Sequence, residues 1–245
     1  MDVLGDGRPP RGLAGVSVVL FDLDDTLLDY SGRADECWTA CCTAVAAPDG
    51  VDPAALAVAL EEVRRAFWED PVRHRLERTD MVGAWTKIAA AALDRCGGAR
   101  DGLARRMAED FAARRVAVER LFPDATAALE RLRGAGVPLG LVTNGDARLQ
   151  RDKIARHDLA RYFDVIVIEG EFGCGKPDPR VFRHALEALG ADARRAWMIG
   201  DHLVWDVGGA QGVGARAAWI DRERRGLPPA SAARPDRIIH TLDEL

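Results

Sequence analysis

The sequence predicts an α/β protein whose doubly wound parallel sheet is interrupted by an all-helical insertion, and three observations carry that expectation. An apolar run, Val16-Ser17-Val18-Val19-Leu20-Phe21, breaks into a knot of acids at Asp22, Asp24, Asp25 and Asp29. Strand-like and helix-like segments alternate from Leu121 to Ile220. Between these regions the chain carries helical periodicity with little strand signal.

The first run suits a strand covered on both faces, where alternation is not required. Helical spacing begins near Ala34, continues to Val45 and stops at Pro48-Asp49-Gly50. Asp52-Pro53 reads as a cap followed by a first-turn proline, opening a helix that reaches Trp68. Thr79-Asp80 opens a third helix through Ala92, and a fourth runs from Asp101 to about Val118. After Leu121-Phe122-Pro123-Asp124 a helix reaches Arg133, and Gly134 and Gly136 stop it. A strand over residues 137–142 ends in Thr143-Asn144-Gly145-Asp146, and a helix follows to Arg156. Strand 165–168, a glycine-containing loop, a helix capped by Asp178, strand 196–199, a short helix over 204–211 and strand 215–220 complete the alternation. The expected organisation is a loose lead-in over residues 1–15, a core of 16–30 with 120–245, and a helical insertion over 31–119.

With 245 residues the chain can bury a sizeable core. A net charge of −5 argues against nucleic acid as a partner, and no run reaches the length of a membrane span. Five cysteines at irregular spacing fit a reducing compartment better than a disulfide framework. Without a basic region and apolar stretch at the start, the protein is expected to be soluble and cytoplasmic, as a monomer or homodimer. Lysine is scarce: only Lys87, Lys153 and Lys176 stand beside many arginines, which makes each worth attention.

In open α/β sheets ligands collect at the carboxyl ends of the strands. Asp22 and Asp24 fall at such an end and, two residues apart, leave a strand on the same side. Crowded carboxylates repel unless a cation, a shared proton or solvent relieves them. Mg²⁺ takes oxygen ligands and bridges carboxylates to phosphate, so phosphate chemistry is the first expectation. Thr143 and Asn144, Lys176, and Asp201 with Asp206 lie at other predicted strand ends or the loops after them. Together they suit phosphoryl transfer, in which an aspartate attacks phosphorus and holds it as an acyl phosphate. The Thr143 hydroxyl and neighbouring N–H groups at a helix start would hold phosphoryl oxygens.

On these residues the sequence resembles the haloacid dehalogenase superfamily over nearly its whole length. Phe21-Asp22-Leu23-Asp24-Asp25-Thr26-Leu27 resembles that superfamily's first motif, Val142-Thr143-Asn144-Gly145 the second, Gly175-Lys176-Pro177-Asp178-Pro179 the third, and Gly200-Asp201-His202-Leu203-Val204-Trp205-Asp206 the fourth. The resemblance implies a Rossmann-like core with a helical cap in the phosphatase branch. It also implies Asp22 as nucleophile and Asp24 as general acid, then base. Asp22, the Asp24 backbone carbonyl and Asp201 would bind Mg²⁺ with Asp206 in support; Thr143, Asn144 and Lys176 would hold the substrate. Members that displace halide lack an acid at the place of Asp24, which favours phosphatase. The stretch from Leu141 to Ile154 is similar to the N-acylneuraminate 9-phosphatase and pyrimidine 5′-nucleotidase neighbourhood. The expected substrate is a small phosphorylated metabolite, a sugar phosphate or nucleotide monophosphate. A phosphomutase of the same superfamily and a non-catalytic member that binds a phosphorylated ligand or a protein are the alternatives.

Other residues have plainer readings. His202 suits the loop better than hard Mg²⁺. Cys37 and Cys41, spaced for one helix face, suit buried packing better than metal. Trp68, Arg73, His74, Arg75, Trp85 and Lys87 are candidates to face a substrate from the insertion, against the plainer alternative of packed tryptophans and solvated arginines.

Overall fold

A computed structural model describes residues 15–245; most of the lead-in expected over 1–15 therefore lies outside the described residues. Strand β1 (Val18–Phe21) is wholly buried and forms the middle of a six-stranded sheet. A two-residue strand, β2 (Leu28–Asp29), follows it. Five helices come next: α1 (Ala34–Cys41), α2 (Pro53–Glu69), α3 (Pro71–Glu77), α4 (Met81–Arg95) and α5 (Leu103–Val118). The chain then returns through β3 (Arg120–Leu121), α6 (Ala125–Gly134), β4 (Leu139–Thr143) and α7 (Ala147–Arg156). Strand β5 (Val165–Ile168), α8 (Glu169–Phe172), α9 (Pro179–Ala188), β6 (Ala196–Gly200), β7 (Arg216–Ile220) and β8 (Arg237–Ile239) complete it.

The sheet order is β5-β4-β1-β6-β7-β8, with every pairing parallel. The doubly wound α/β fold expected from the sequence is therefore the fold adopted. From β1 the chain builds outward through β4 and β5 on one side, then crosses to β6, β7 and β8 on the other. That reversal leaves a crevice beyond the carboxyl ends of β1, β4 and β6. The core below it is apolar: Val18, Leu20, Val142, Val167, Val181, Phe182, Leu186 and Met198 belong to one buried cluster.

By contact the described residues divide into two units, the first comprising residues 15–29 with Arg120–Leu245, the second Tyr30–Glu119. In the first, β2 and β3 pair antiparallel, and Arg120 reaches Asp29 at 2.9 Å. The second is helical throughout. Its α2 starts as the Asp-Pro signal predicts, with Asp52 accepting from Ala54 N at 2.9 Å. Residue Asp70 repeats the device ahead of Pro71, accepting from Val72 N at 2.9 Å, so a separate helix α3 begins where none was expected. No residue of α3 is buried, which removes the periodicity that would have announced it. The helix expected over 34–45 ends at Cys41 and passes into a wider π turn, Cys42–Ala46.

Aromatic packing holds this unit. Trp38 stacks on Phe111 with centroids 3.9 Å apart, and Trp85 meets Phe111 edge-on at 5.0 Å. Trp68 sits against Phe67 at 4.9 Å and His74 at 5.1 Å, Arg73 lies over the Phe67 ring, and exposed Lys87 pairs with Glu77 at 2.6 Å. Arg75 is exposed. Cys37 and Cys41 are buried free thiols, and Cys41 Sγ lies 3.3 Å from the Met107 carbonyl.

Further departures lie in the first unit, where β2, β3 and α8 were not expected. Strand β8 is an added edge, too short to register as a periodic run. The short helix expected over 204–211 opens as a π turn, Leu203–Gly208, before a last turn at Gly209–Gln211. No helix among the described residues is long and apolar enough to cross a membrane.

Candidate active site

Asp22 follows β1 directly, and its N–H still bonds across to Ile199 O at 2.9 Å, so the sheet fixes its backbone. Its carboxylate is buried with Lys176, whose ammonium lies 2.5 Å from Asp22 Oδ1 and 2.6 Å from Asp206 Oδ1. The Thr26 hydroxyl reaches Asp22 Oδ2 at 3.3 Å. Asp201, at the end of β6, completes the group: carboxylate oxygens of Asp22, Asp201 and Asp206 lie within 4.8 Å of one another. The loop after β6 is tied down by Trp219 Nε1 donating to Asp201 O at 2.6 Å and by His202 N donating to Asp206 Oδ2 at 2.9 Å. The His202 ring does not join the acids. It stacks on Trp205 at 3.7 Å and caps the turn, its Nδ1 accepting from Val204 N and Trp205 N.

Burial raises the Asp22 carboxyl to about 7, with Lys176 pulling down and Asp206 pushing up. Burial likewise raises Asp201 to about 9, helped by the Asp22 charge. Burial opposes the Lys176 cation, but Asp206 and Asp22 outweigh it and hold its pKa above the ordinary lysine value. One lysine thus stands among three acids, Asp22 and Asp206 buried and Asp201 half-buried, too few cations to relieve all three carboxylates once they ionise. Three carboxylates with no sulfur or imidazole among them are the donor set of a hard divalent ion, and this cluster fits one.

The second motif is held differently. Thr143 ends β4, and its hydroxyl accepts from Gln150 Nε2 at 2.6 Å. Asn144, expected to touch substrate, uses both ends of its side-chain amide on the Lys176 peptide: Nδ2 donates to Lys176 O at 2.9 Å and Oδ1 accepts from Lys176 N at 2.7 Å. The side chain thus ties two strand-end loops together. Gly145 N donates to the buried Glu169 carboxylate at 2.9 Å, and Asp146 caps α7 by accepting from Leu149 N at 2.9 Å. Gly175 is required beside these groups, because a Cβ there would collide with Glu169 and the Asn144 amide.

The Asp24 carboxylate stands apart from the acid cluster. The chain turns sharply after it, with Asp25 in the left-handed region at φ 60°, and the Asp24 side chain meets α7. Lys153 Nζ lies 2.8 Å from both its oxygens, and Gln150 Nε2 lies 3.0 Å from Oδ2. Neither Gln150 nor Lys153 was expected here from the sequence. Their only signals are the rarity of lysine and a spacing of three that puts both on one helix face.

Residues 16–214 match the family profile described as haloacid dehalogenase-like hydrolase. Phosphoserine phosphatase of Thermus thermophilus is 41% identical over 185 residues, covering 74% of this chain and 72% of that one. N-acylneuraminate-9-phosphatase of Rattus norvegicus is 29% identical over 257 residues, covering 96% of this chain and 94% of its own. Among solved structures, the 2-haloacid dehalogenase of Pseudomonas syringae pv. Tomato superposes with a TM-score of 0.64 at 32% identity, covering 94% of this chain and 96% of that one.

Proposed function

The chain belongs to the haloacid dehalogenase-like hydrolases and is a phosphatase, and from that premise we propose that it hydrolyses a small phosphorylated metabolite through a phosphoryl group carried on Asp22, with Mg²⁺ bound. The observation that carries the reading is the separation of the two first-motif acids. Asp22 sits with Lys176 and the Asp201/Asp206 cluster, while Asp24 two residues on has partners of its own. One acid can then work as an anion while its neighbour moves protons.

The residues divide the work as follows. An Asp22 oxygen forms a bond to phosphorus with its lone pair; the bond to the substrate's alcohol oxygen breaks, and that oxygen keeps the electron pair and takes a proton from Asp24. Water then attacks phosphorus and gives a proton back to Asp24. The bond between phosphorus and Asp22 breaks, restoring the carboxylate and freeing inorganic phosphate. Lys176 and the Thr143 hydroxyl hold the phosphoryl oxygens, and Asn144 sets Lys176 by gripping its peptide. Asp22, the Asp24 carbonyl and Asp201 would hold Mg²⁺ with Asp206 behind them; the ion would offset the charge of the acids and of the phosphoryl group.

Asp24 supports phosphate over halide as the group displaced, despite the likeness to a dehalogenase. A halide leaves without a proton, whereas an alkoxide needs one. Sugar phosphates and nucleotide monophosphates are the proposed class, with phosphoserine and N-acylneuraminate 9-phosphate added from the relatives' names. The test is phosphate release from such a panel, with Mg²⁺ and with chelator, and halide release from 2-chloropropionate beside it. We expect Mg²⁺-dependent release from at least one phosphomonoester, loss of it in Asp22→Asn, and no halide. Equal rates for wild type and Asp22→Asn would refute the reading.

A further inference from the structure

We propose that Gln150 and Lys153 form a clamp on α7 that positions the Asp24 carboxyl for its proton transfers, an inference that rests on the phosphatase reading above. The two side chains are three residues apart and so share one face of the helix. Both are buried, with 2% and 6% of their surface exposed, although a glutamine and a lysine on a helix of this kind ordinarily face water. Two polar partners, the Asp24 carboxylate and the Thr143 hydroxyl, draw them inward. Lys153 Nζ spans the carboxylate symmetrically, 2.8 Å from each oxygen. The amide nitrogen of Gln150 bridges two strand ends, 3.0 Å from Asp24 Oδ2 and 2.6 Å from Thr143 Oγ1.

This arrangement differs from that of Lys176. Lys176 meets the nucleophile and a cluster acid, at the place where a phosphoryl group would be held. Lys153 meets the other acid, so deleting it would spare phosphoryl binding and let the Asp24 carboxyl swing. A carboxyl free to rotate presents its proton to the departing oxygen in only a fraction of bound complexes. The loss should therefore scale with how much the leaving oxygen needs that proton as its bond to phosphorus breaks. The bridge to Thr143 adds a second consequence. Gln150 links acid and hydroxyl through one amide, so its removal loosens both sides of the reaction centre. Because β4 ends at Thr143 and Asp146 starts α7 three residues later, helix and strand deliver the clamp as one piece.

The test compares kcat/KM on an alkyl phosphate, whose leaving oxygen is strongly basic, with p-nitrophenyl phosphate, whose leaving oxygen needs little help. Lys153→Met is expected to lose roughly 100-fold on the alkyl ester and far less on the aryl ester, the scale of general acid catalysis. Lys153→Arg should recover much of the loss, inhibition by inorganic phosphate should stay at its wild-type strength, and adding Lys153→Met to Asp24→Asn should cost little more on the alkyl ester. Gln150→Leu, which keeps the cation, should show the same leaving-group pattern together with weaker phosphate inhibition. Equal losses of Lys153→Met on the two esters, or a loss that multiplies with that of Asp24→Asn, would overturn the clamp while leaving an active wild type and a dead Asp22→Asn to support the phosphatase reading. A wild type that releases phosphate from no ester would remove both.

Discussion

Gly200 closes β6 without a side chain because Asp206 already fills the space that one would need: a Cβ there would collide with the Asp206 carboxyl. Asp206 cannot retreat cheaply, since it is held by His202 N at 2.9 Å and by Lys176 at 2.6 Å. Gly200→Ala should therefore displace one acid of the cluster and cost about 1–3 kcal/mol in strain. Its activity should demand more Mg²⁺ than wild type and recover in part at high Mg²⁺. A Mg²⁺ titration of activity that superposes on the wild-type curve would show that the Asp206 position does not matter to the ion. At this scale the sequence was informative where chemistry and chain position coincide. Asp22, Lys176, Asp201 and Asp206 end or follow strands, so their convergence follows from a parallel sheet. Gln150 and Lys153 were illegible because nothing in a polar helix face says that an acid lies opposite. The grip of Asn144 on the Lys176 peptide is equally illegible, because in sequence a strand-end amide looks the same whether it meets a substrate, a neighbouring peptide or both.

At the scale of elements, hydrophobic period and capping fixed most of what could be read. Fully buried β1, β4 and β6 carry continuous apolar runs, and Asp52, Asp80 and Asp178 cap helices near where they were expected to start. The failures share a cause. Helix α3 buries no residue, β2 and β3 are two residues long, and β8 is three, so none offers enough residues for a period to show. In the helical unit, Phe111 is the shared partner of Trp38 and Trp85, with only 3% of its surface exposed. Phe111→Ala removes both aromatic contacts and leaves a cavity between α1, α4 and α5. Destabilisation by about 3–5 kcal/mol is expected, read as a lower midpoint in urea unfolding. A loss under about 1 kcal/mol would mean that the neighbouring tryptophans collapse into the gap, the outcome that governs the spread among such substitutions.

For the molecule as a whole, the acid cluster couples stability to pH and to cation. Without a cation, Asp22 and Asp201 hold their protons up to about 7 and about 9, whereas in the unfolded chain both release them at about 4. Between those limits the folded state carries more protons than the unfolded one. Stability contributed by these groups is therefore complete below the unfolded value and falls as pH rises through the folded values. Lys176 titrates above the ordinary lysine range and stays charged throughout this window, so it adds no slope. A divalent ion at the cluster competes with those protons: weakly at alkaline pH, where few remain, and strongly at acid pH. It stabilises only the folded state, by mass action. Chelator-treated protein should thus lose Tm on going from about pH 5 to about pH 8, and Mg²⁺ should raise Tm little at the lower pH and by several degrees at the higher. Asp201→Asn, with one titrating acid removed, should flatten the chelated curve and shrink the Mg²⁺ shift. Melts in which Mg²⁺ raises Tm equally at both pH values would mean that the ion binds away from these acids, and the Mg²⁺ dependence proposed for the reaction would then need another site.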